Sequence, residues 1–452
     1  MVRRRPAETA HRHRWAAGLA AGTLLTLTAA ACGSSAGSGN APGGSSGGSA
    51  PAKGAPITFL DVLTLSGPSA FIGQFGTSAA YPAVNEINAA GGVLGHKVKL
   101  ALVDDKNDPA DAVPTLERAF ATGSNISVVL GPLTTVAPAL VPIINARKMT
   151  MMSVAGEDEF NRPTQFKYFW RYFPPDSANG VAMALWAKQH GWTRVATVFT
   201  SDAGAQGDLP GVVAGVKALG LNLVNQTTLT AGQPSYQSDV AHLLGFHPQA
   251  IFTETDPTTA ATFYGELANL GKNLPIIGSQ TTVVPTWLQV VAKAVGPAKF
   301  AGEYYGVNQS SPAATPADQY FNKFLLASAS QVSKPRQWFG NPFVEANYDA
   351  VIVPALAMDA AHSTDPVKYN AFIPQVTNGG PGTTKVYSYA QGAKLLAEGK
   401  KIQYIGAHGP MNFNQYHNSF GGYVIDSYSP SGNIVAKSAI SQADIQHYVP
   451  SK

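Results

Sequence analysis

Strand-like and helix-like segments alternate along most of this chain, and that rhythm limits the folds open to it more than any other feature. "PITFLDVL" (56–63) reads as a buried strand, followed by a loop over 64–73 and a helical stretch to Ala90, closed by Gly91 and Gly92. "KVKLALVDD" is the next strand. "DPADAVPTLERAFATG" then opens a helix with Asp108 at the N-cap and Pro109 at the first helical position. Val113, Leu116 and Phe120 share one face of it. "ISVVLG" and "MTMMSVAG" give two strands around a helix at about 136–146. After "PPDSANG" the pattern resumes: helix 177–190, strand "RVATVFT", helix 206–219, strand "LNLVNQTTL". Helix 235–245, strand "AIFTET", helix 258–270 and strand "PIIGSQ" complete it. This alternation predicts an α/β fold, with parallel sheets covered by helices on both faces, and the length suits two such units. Pro82 and Pro114 fall inside predicted helices, at ~3 kcal/mol each if interior, so kinks or later helix starts are expected.

Doubly wound sheets bind ligands outside the carboxyl ends of their strands. The loops there are "TLSGPSAFIGQFG", "GPLTT" and "SVAGED" in the first unit, and "TSDAGAQG", "TETDPTTA" and "GSQTT" in the second. Most are rich in Gly, Ser and Thr, which offer hydroxyls and exposed amides at helix N-termini to a polar solute. Any one of these Ser, Thr or Asp residues is equally explained as a helix cap; six such loops in one topological position favour a binding face. None of the ten His falls in these loops, which argues against a nucleophile-and-base hydrolase site.

The N-terminus has a separate logic. Arg3, Arg4, Arg5, Arg12 and Arg14 precede an uncharged run from Trp15 to Ala31, the layout of a secretory signal over 1–31. The run is short and Ala/Gly/Thr-rich for a membrane span of ~20 residues. "AAAC" resembles a lipoprotein lipobox, which would make Cys32, the single cysteine, a lipidated first residue; Ala29 stands where that pattern prefers Leu. The Gly/Ser-rich tract that follows, to residue 56, reads as a tether. Its "GSSAG" matches a nucleophile-elbow pattern but lacks the strand and helix that motif requires. The whole chain has 31 Lys+Arg against 27 Asp+Glu; removing the signal leaves 26 against 26, so no nucleic-acid partner is signalled. One cysteine excludes an internal disulfide framework, and no His/Cys cluster has zinc spacing, so neither cofactor nor metal is expected.

"LSGPSAFIGQFG", "AVNEINAAGGVLGHKVKL", "VDDKNDPADAV" and "VVLGPLTTVAPALVPIINARKMTMMSVAG", with "GPMNFNQYHNSFGGYVIDSYSPSGNIV" near the end, resemble the leucine/isoleucine/valine-binding family of type I periplasmic binding proteins. The resemblance implies two doubly wound parallel-sheet lobes joined by three hinge segments, near 173–178, 303–309 and 420–428. Lobe 1 would be 57–175 plus 308–420, and lobe 2 would be 177–303 plus 425–452. It further implies a non-enzymatic, monomeric solute receptor of an ABC importer, outside the membrane, partnered by permease subunits. A sensor reporting to a membrane receptor is the alternative, and a secreted hydrolase the lesser one.

Carried over by position, Phe71, Ile72 and Gln74 would form a partly apolar wall. Thr135, with Thr134 beside it, would hold a carboxylate. Ala155, Gly156 and Glu157 would lie near an α-amino group. Asp202, Asp256 and Tyr304 would face the solute from the second lobe. Where the family's amino-acid binders place a carboxylate, this chain has Gln280, which removes a charge-assisted partner for an ammonium. Glu157 or Asp256 could restore that charge from a different corner; otherwise the solute is not a zwitterion, and the expectation is a small polar organic solute: a branched-chain amino acid, an amide or a related compound. The lipidation reading predicts that Cys32→Ala releases the protein into the medium; fractionation showing the variant still in the membrane would contradict it.

Overall fold

The computed structural model describes residues 54–67, 70–310, 315–419 and 421–449. The leader, Cys32 and the tether as far as residue 53 lie outside the described residues.

β1 (Ile57–Leu63) is buried along nearly its whole length, as a central parallel strand must be when helices cover both faces. It pairs in parallel with β2 (Val98–Asp104) on one side and β3 (Ile126–Leu130) on the other. β4 (Met151–Ser153) and β5 (Phe169–Arg171) extend the sheet, giving the order β2-β1-β3-β4-β5. The connecting helices are α1 (Ala70–Ala89), α2 (Pro109–Thr122) and α3 (Ala137–Ala146). Asp108 caps α2, accepting from the Ala110 N–H, with Pro109 beginning the helix as expected.

The chain then enters a second sheet through α4 (Asp176–Gln189). β6 (Arg194–Thr200), α5 (Ala203–Gly207), α6 (Leu209–Ala218) and β7 (Asn222–Leu229) follow. Next come α7 (Gln237–Gly245), β8 (Ala250–Glu254), α8 (Pro257–Asn269) and β9 (Ile276–Gly278). α9 (Pro285–Val295) and α10 (Pro297–Glu303) lead to β10 (Tyr304–Gln309). α11 (Pro316–Ala327) and α12 (Pro342–Ala361) return to the first sheet and pack on α1. A short parallel pair, β11 (Thr383–Val386) and β12 (Lys401–Tyr404), stands beside them. The chain crosses once more to add the antiparallel edge β13 (Tyr423–Tyr428) and β14 (Ile434–Ile440) to the second sheet, whose order is β14-β13-β10-β9-β8-β6-β7. The molecule is therefore α/β, with two doubly wound lobes and three crossing segments.

Each sheet has a core on both faces. Phe59 points toward α1 and α12, while Leu60 and Val62 point toward α2 and α3. In β6, Val195 and Phe199 face α4 and α6, and Ala196 and Val198 face α7, α8 and α9, the period-two alternation of a strand.

Several local expectations change. α1 begins at Ala70, inside the expected loop, and runs through Pro82 because Ala79, Ala83 and Ile87 are buried against α12. α2 likewise contains Pro114. The helix expected over 206–219 is broken at Asp208, between α5 and α6, where Asp208 is fully buried and Pro210 starts a new turn. Residues 303–309 are not a crossing: Tyr305 to Gln309 pair antiparallel with Ser427 to Tyr423, which puts Asn308 and Gln309 in the second sheet.

α4 and α6 approach closely because glycines face each other's backbone. A Cβ at Gly211 would overlap the Ser177 carbonyl, and one at Gly180 would overlap the Asp208 carbonyl. Gly302, in α10, has open space around its Cβ direction. Gly211→Ala is therefore expected to destabilise by about 3 kcal/mol, while Gly302→Ala is neutral or stabilising by up to about 1 kcal/mol. Urea unfolding checks this, and equal effects of the two substitutions would contradict the packing account.

Candidate functional site

The two lobes meet at the carboxyl ends of their strands. The Asp176 N–H donates to the Gly156 carbonyl (3.1 Å), and Ser177 Oγ donates to Asp158 Oδ1 (3.0 Å), so the start of α4 is tied to the loop after β4. The Asp176 carboxyl lies between Gly156 and Gly207: a Cβ at either glycine would collide with it. Glycine is thus required at two places, the loop after β4 in one lobe and the end of α5 in the other. α5 also packs against the turn Thr134–Val136, which leads into α3.

That loop after β4 is shaped by Arg171, the last residue of β5, which is fully buried. Its Nε donates to the Ala155 carbonyl (2.6 Å) and Nη2 to the Glu157 carbonyl (2.6 Å). Nη1 donates to Asn161 Oδ1 (2.6 Å) and Asn418 Oδ1 (3.1 Å). Backbone bonds from Arg171 N–H to the His417 carbonyl and from Ser419 N–H to the Arg171 carbonyl join the third crossing to the same strand. Burial lowers the Arg171 pKa to about 10, against the opposing pull of Asp176, Asp158 and Glu157.

Asp176, Asp158 and Glu157 act on this cation, and Asp208 and Glu254 act on Asp176 in turn; Asp176, Glu157, Asp208 and Glu254 each have their proton affinity raised. Burial holds Asp176 well above the usual carboxylate range, with Glu254 and Glu157 adding repulsion. Asp208 is raised likewise by burial, then by Glu254 and Asp176. Its carboxyl lies against that of Glu254, itself raised by burial and flanked by the hydroxyls of Ser279 and Thr281. Burial pushes Glu157 up to about 7. Asn179 Nδ2 donates to Asp208 Oδ1 (3.0 Å). Asp208 Oδ2, Asp176 Oδ2, Asn179 Oδ1, Gln280 Oε1 and both Glu157 oxygens are buried and receive no hydrogen bond from another residue. The two amide oxygens are acceptors, and the carboxyl oxygens become acceptors once they give up a proton. Among the described residues, no group of three or more His, Cys, Asp or Glu is placed to hold a metal ion. The arrangement asks for organic N–H donors.

The family profile described as "Periplasmic binding protein" matches residues 56–402. The chain belongs to the periplasmic binding protein family. It is 27% identical over 229 residues to the Leu/Ile/Val-binding protein BraC3 of Rhizobium johnstonii, a match covering 44% of this chain and 57% of that protein. It is 25% identical over 398 residues to BasB of Halobacterium salinarum, a chemotactic signal transduction system substrate-binding protein, covering 84% and 88%. The chain thus spans little more than half the length of the first relative and most of the second. Among solved structures, the leucine-binding protein LivK of Thermotoga maritima superposes with a TM-score of 0.67 at 19% identity, covering 86% of this chain and 99% of that one. A solute-binding protein of R. palustris in complex with benzoate superposes at 0.65 and 18% identity, covering 85% and 96%. These establish the type I periplasmic binding protein fold.

Within that fold, the positions anticipated from sequence divide. Thr134 and Thr135 sit half-buried before α3, and Thr134 Oγ1 accepts from the Gly156 N–H (3.4 Å). Gly156 and Glu157 lie at Asp176, and Gln280 follows Ser279 beside Glu254. Others do not serve as expected. The Ala155 carbonyl is taken by Arg171. Asp202 caps α5, with its oxygens engaged by Ala205 N–H and Thr200 Oγ1. Asp256 caps α8 through Oδ1, although its Oδ2 is left without a donor. Tyr304 is 1% exposed, stacked on Phe300, with its hydroxyl against Thr282, so it belongs to the core. Phe71, Ile72 and Gln74 lie in the first turns of α1 rather than in a loop, and Gln74 is exposed.

The sequence alone does not single out Asp176, Asp208, Glu254 or Arg171. A signal existed for Glu254: in β8 it alternates with Ala250 and Phe252, on the face buried against α4 and α6.

The raised carboxyls fix a pH dependence. Asp61, buried in β1, is pushed up to about 8 by burial and then by Asp105; burial likewise raises Glu86, Glu157 and Asp349 to about 7. The folded chain therefore holds more protons than the unfolded chain near neutrality. The stability these groups confer is present at low pH and is lost as pH rises through the folded values. Buried His408, lowered to about 4, acts oppositely, but below about 6.5. The Tm of the solute-free protein should fall by several degrees between about pH 6.5 and 8 at constant salt. A Tm that rises across that window in differential scanning fluorimetry would contradict this.

Proposed function

We propose that the protein is the extracytoplasmic solute receptor of an ABC importer, tethered through lipidated Cys32 and carrying a small amine-bearing solute between its lobes. The single observation that carries this reading is the set of donor-free carboxyl and amide oxygens where the lobes meet, contributed by both sides: Glu157 from the first, Asp208, Asn179 and Gln280 from the second. A solute with N–H groups satisfies both sides at once and favours the closed arrangement through contacts that exist only when the lobes meet. Glu254 and Asp208 supply the charge that Gln280 lacks. Thr134 and Thr135, at the start of α3, offer hydroxyls and a helix N-terminus to the polar end opposite.

The likeness to BasB over 88% of its length supports a second reading, in which the same capture reports to a membrane sensor. Deleting the gene separates the two. Import predicts that cells lose accumulation of the labelled solute that the receptor carries when purified natively from them. Unchanged accumulation together with a lost behavioural response would favour the sensor and contradict import.

A further inference from the structure

We propose that this cleft selects solutes of net positive charge, such as a diamine or an alkylguanidinium, over net-neutral zwitterionic amino acids. Asp208, Glu254, Asp176 and Glu157 would be the receiving groups. The inference rests on the solute-receptor reading and specifies the charge of its ligand.

The reason is charge balance in a closed, partly desolvated space. Five carboxyl groups, Asp158, Asp176, Asp208, Glu157 and Glu254, stand there against one guanidinium, and Arg171 already spends four N–H bonds on two backbone carbonyls and two Asn side chains. A zwitterion would bring one more carboxylate into this region with no unengaged cation to receive it. It would find the Thr134 and Thr135 hydroxyls instead, neutral donors that do not offset a carboxylate placed among groups that already resist ionisation. A diamine or an alkylguanidinium adds only positive charge and N–H groups, three donors for each ammonium or five for a guanidinium.

Two neutral side chains point to the same donor-rich ligand independently of the acids. Asn179 is 2% exposed, and its Nδ2 is fixed on Asp208 Oδ1, so its unpartnered Oδ1 is a true acceptor beside the cluster. Gln280 Oε1, next to the Ser279 that flanks Glu254, is unpartnered as well. Asp208 is itself 0% exposed, its Oδ2 has no N–H donor, and its carboxyl shares a proton with that of Glu254. Ammonium or guanidinium hydrogens between Asp208 and Glu254 would replace that shared proton, which leaves to solvent, with charge-assisted bonds to both carboxylates.

Isothermal titration of the purified protein at pH 7 with putrescine, agmatine, leucine and glutamine tests this. The expected result is that putrescine or agmatine binds about 100-fold more tightly than either neutral amino acid. Glu254→Gln and Asp208→Asn should each weaken that binding by about 10-fold or more while raising the Tm of the solute-free protein. If a variant fails to fold, the ranking of the four probes on the wild type decides alone. Leucine or glutamine binding as tightly as both cations overturns the charge selectivity and leaves the solute-receptor reading standing. Binding of none of the four overturns the selectivity too. The receptor reading then falls as well if protein purified natively from its own cells releases no solute on denaturation.

Discussion

Arg171 is buried completely at the end of the first sheet, and the chain around it is arranged to satisfy it. A guanidinium stripped of water costs several kcal/mol unless acceptors replace its hydration. Ala155 and Glu157 supply carbonyls, and Asn161 and Asn418 supply amide oxygens. Those four bonds hold the loop after β4, the turn at Asn161 and the third crossing on one side chain. The geometry of the cleft follows. The Ala155 carbonyl is turned inward and removed from solute binding, while the Glu157 carboxyl is left without a donor.

The acids opposite Arg171 are tolerable for related reasons. Asp176 begins α4 and so sits at the positive end of a helix, which offsets part of the repulsion, while Asp208 accepts from Asn179 Nδ2. Gly156 and Gly207 let two backbones close on the Asp176 carboxyl, which a larger residue at either position would push out. Ionising these carboxyls together would set the two lobes against each other, which is why each holds its proton more tightly than usual. Under the proposed cationic selectivity, a bound solute would take the place of those protons, and charge neutralisation would accompany lobe closure.

Much of this architecture was legible in the sequence. The βα rhythm from 56 to 280 could be read because parallel strands buried on both faces are continuous apolar runs between amphipathic or capped helices. Where the reading slipped, tertiary contacts had overridden local signals. "SGPSAFIGQFG" looks like a glycine-rich loop, yet α1 extends to Ala70. "EYYGVNQ" looked like a crossing, but its pairing with β13, more than 100 residues away, makes it a strand. The site was harder. Asp202, Glu254 and Asp256 stand in similar Thr-rich contexts; Asp202 and Asp256 are helix caps, and Glu254 alone faces the buried side of its strand. Asp176 and Asp208 carry no local signal because the groups that make them unusual come from other elements. Arg171, in "FWRYF", gave no local sign of the loop it would organise.

The most direct measurement is a crystal structure of the protein with the solute it retains when purified natively from its own cells. The account predicts a solute nitrogen within hydrogen-bond distance of both Asp208 and Glu254, with Glu157 completing its contacts from the first lobe. A solute seated in the cleft with no N–H group facing those carboxyls would contradict it.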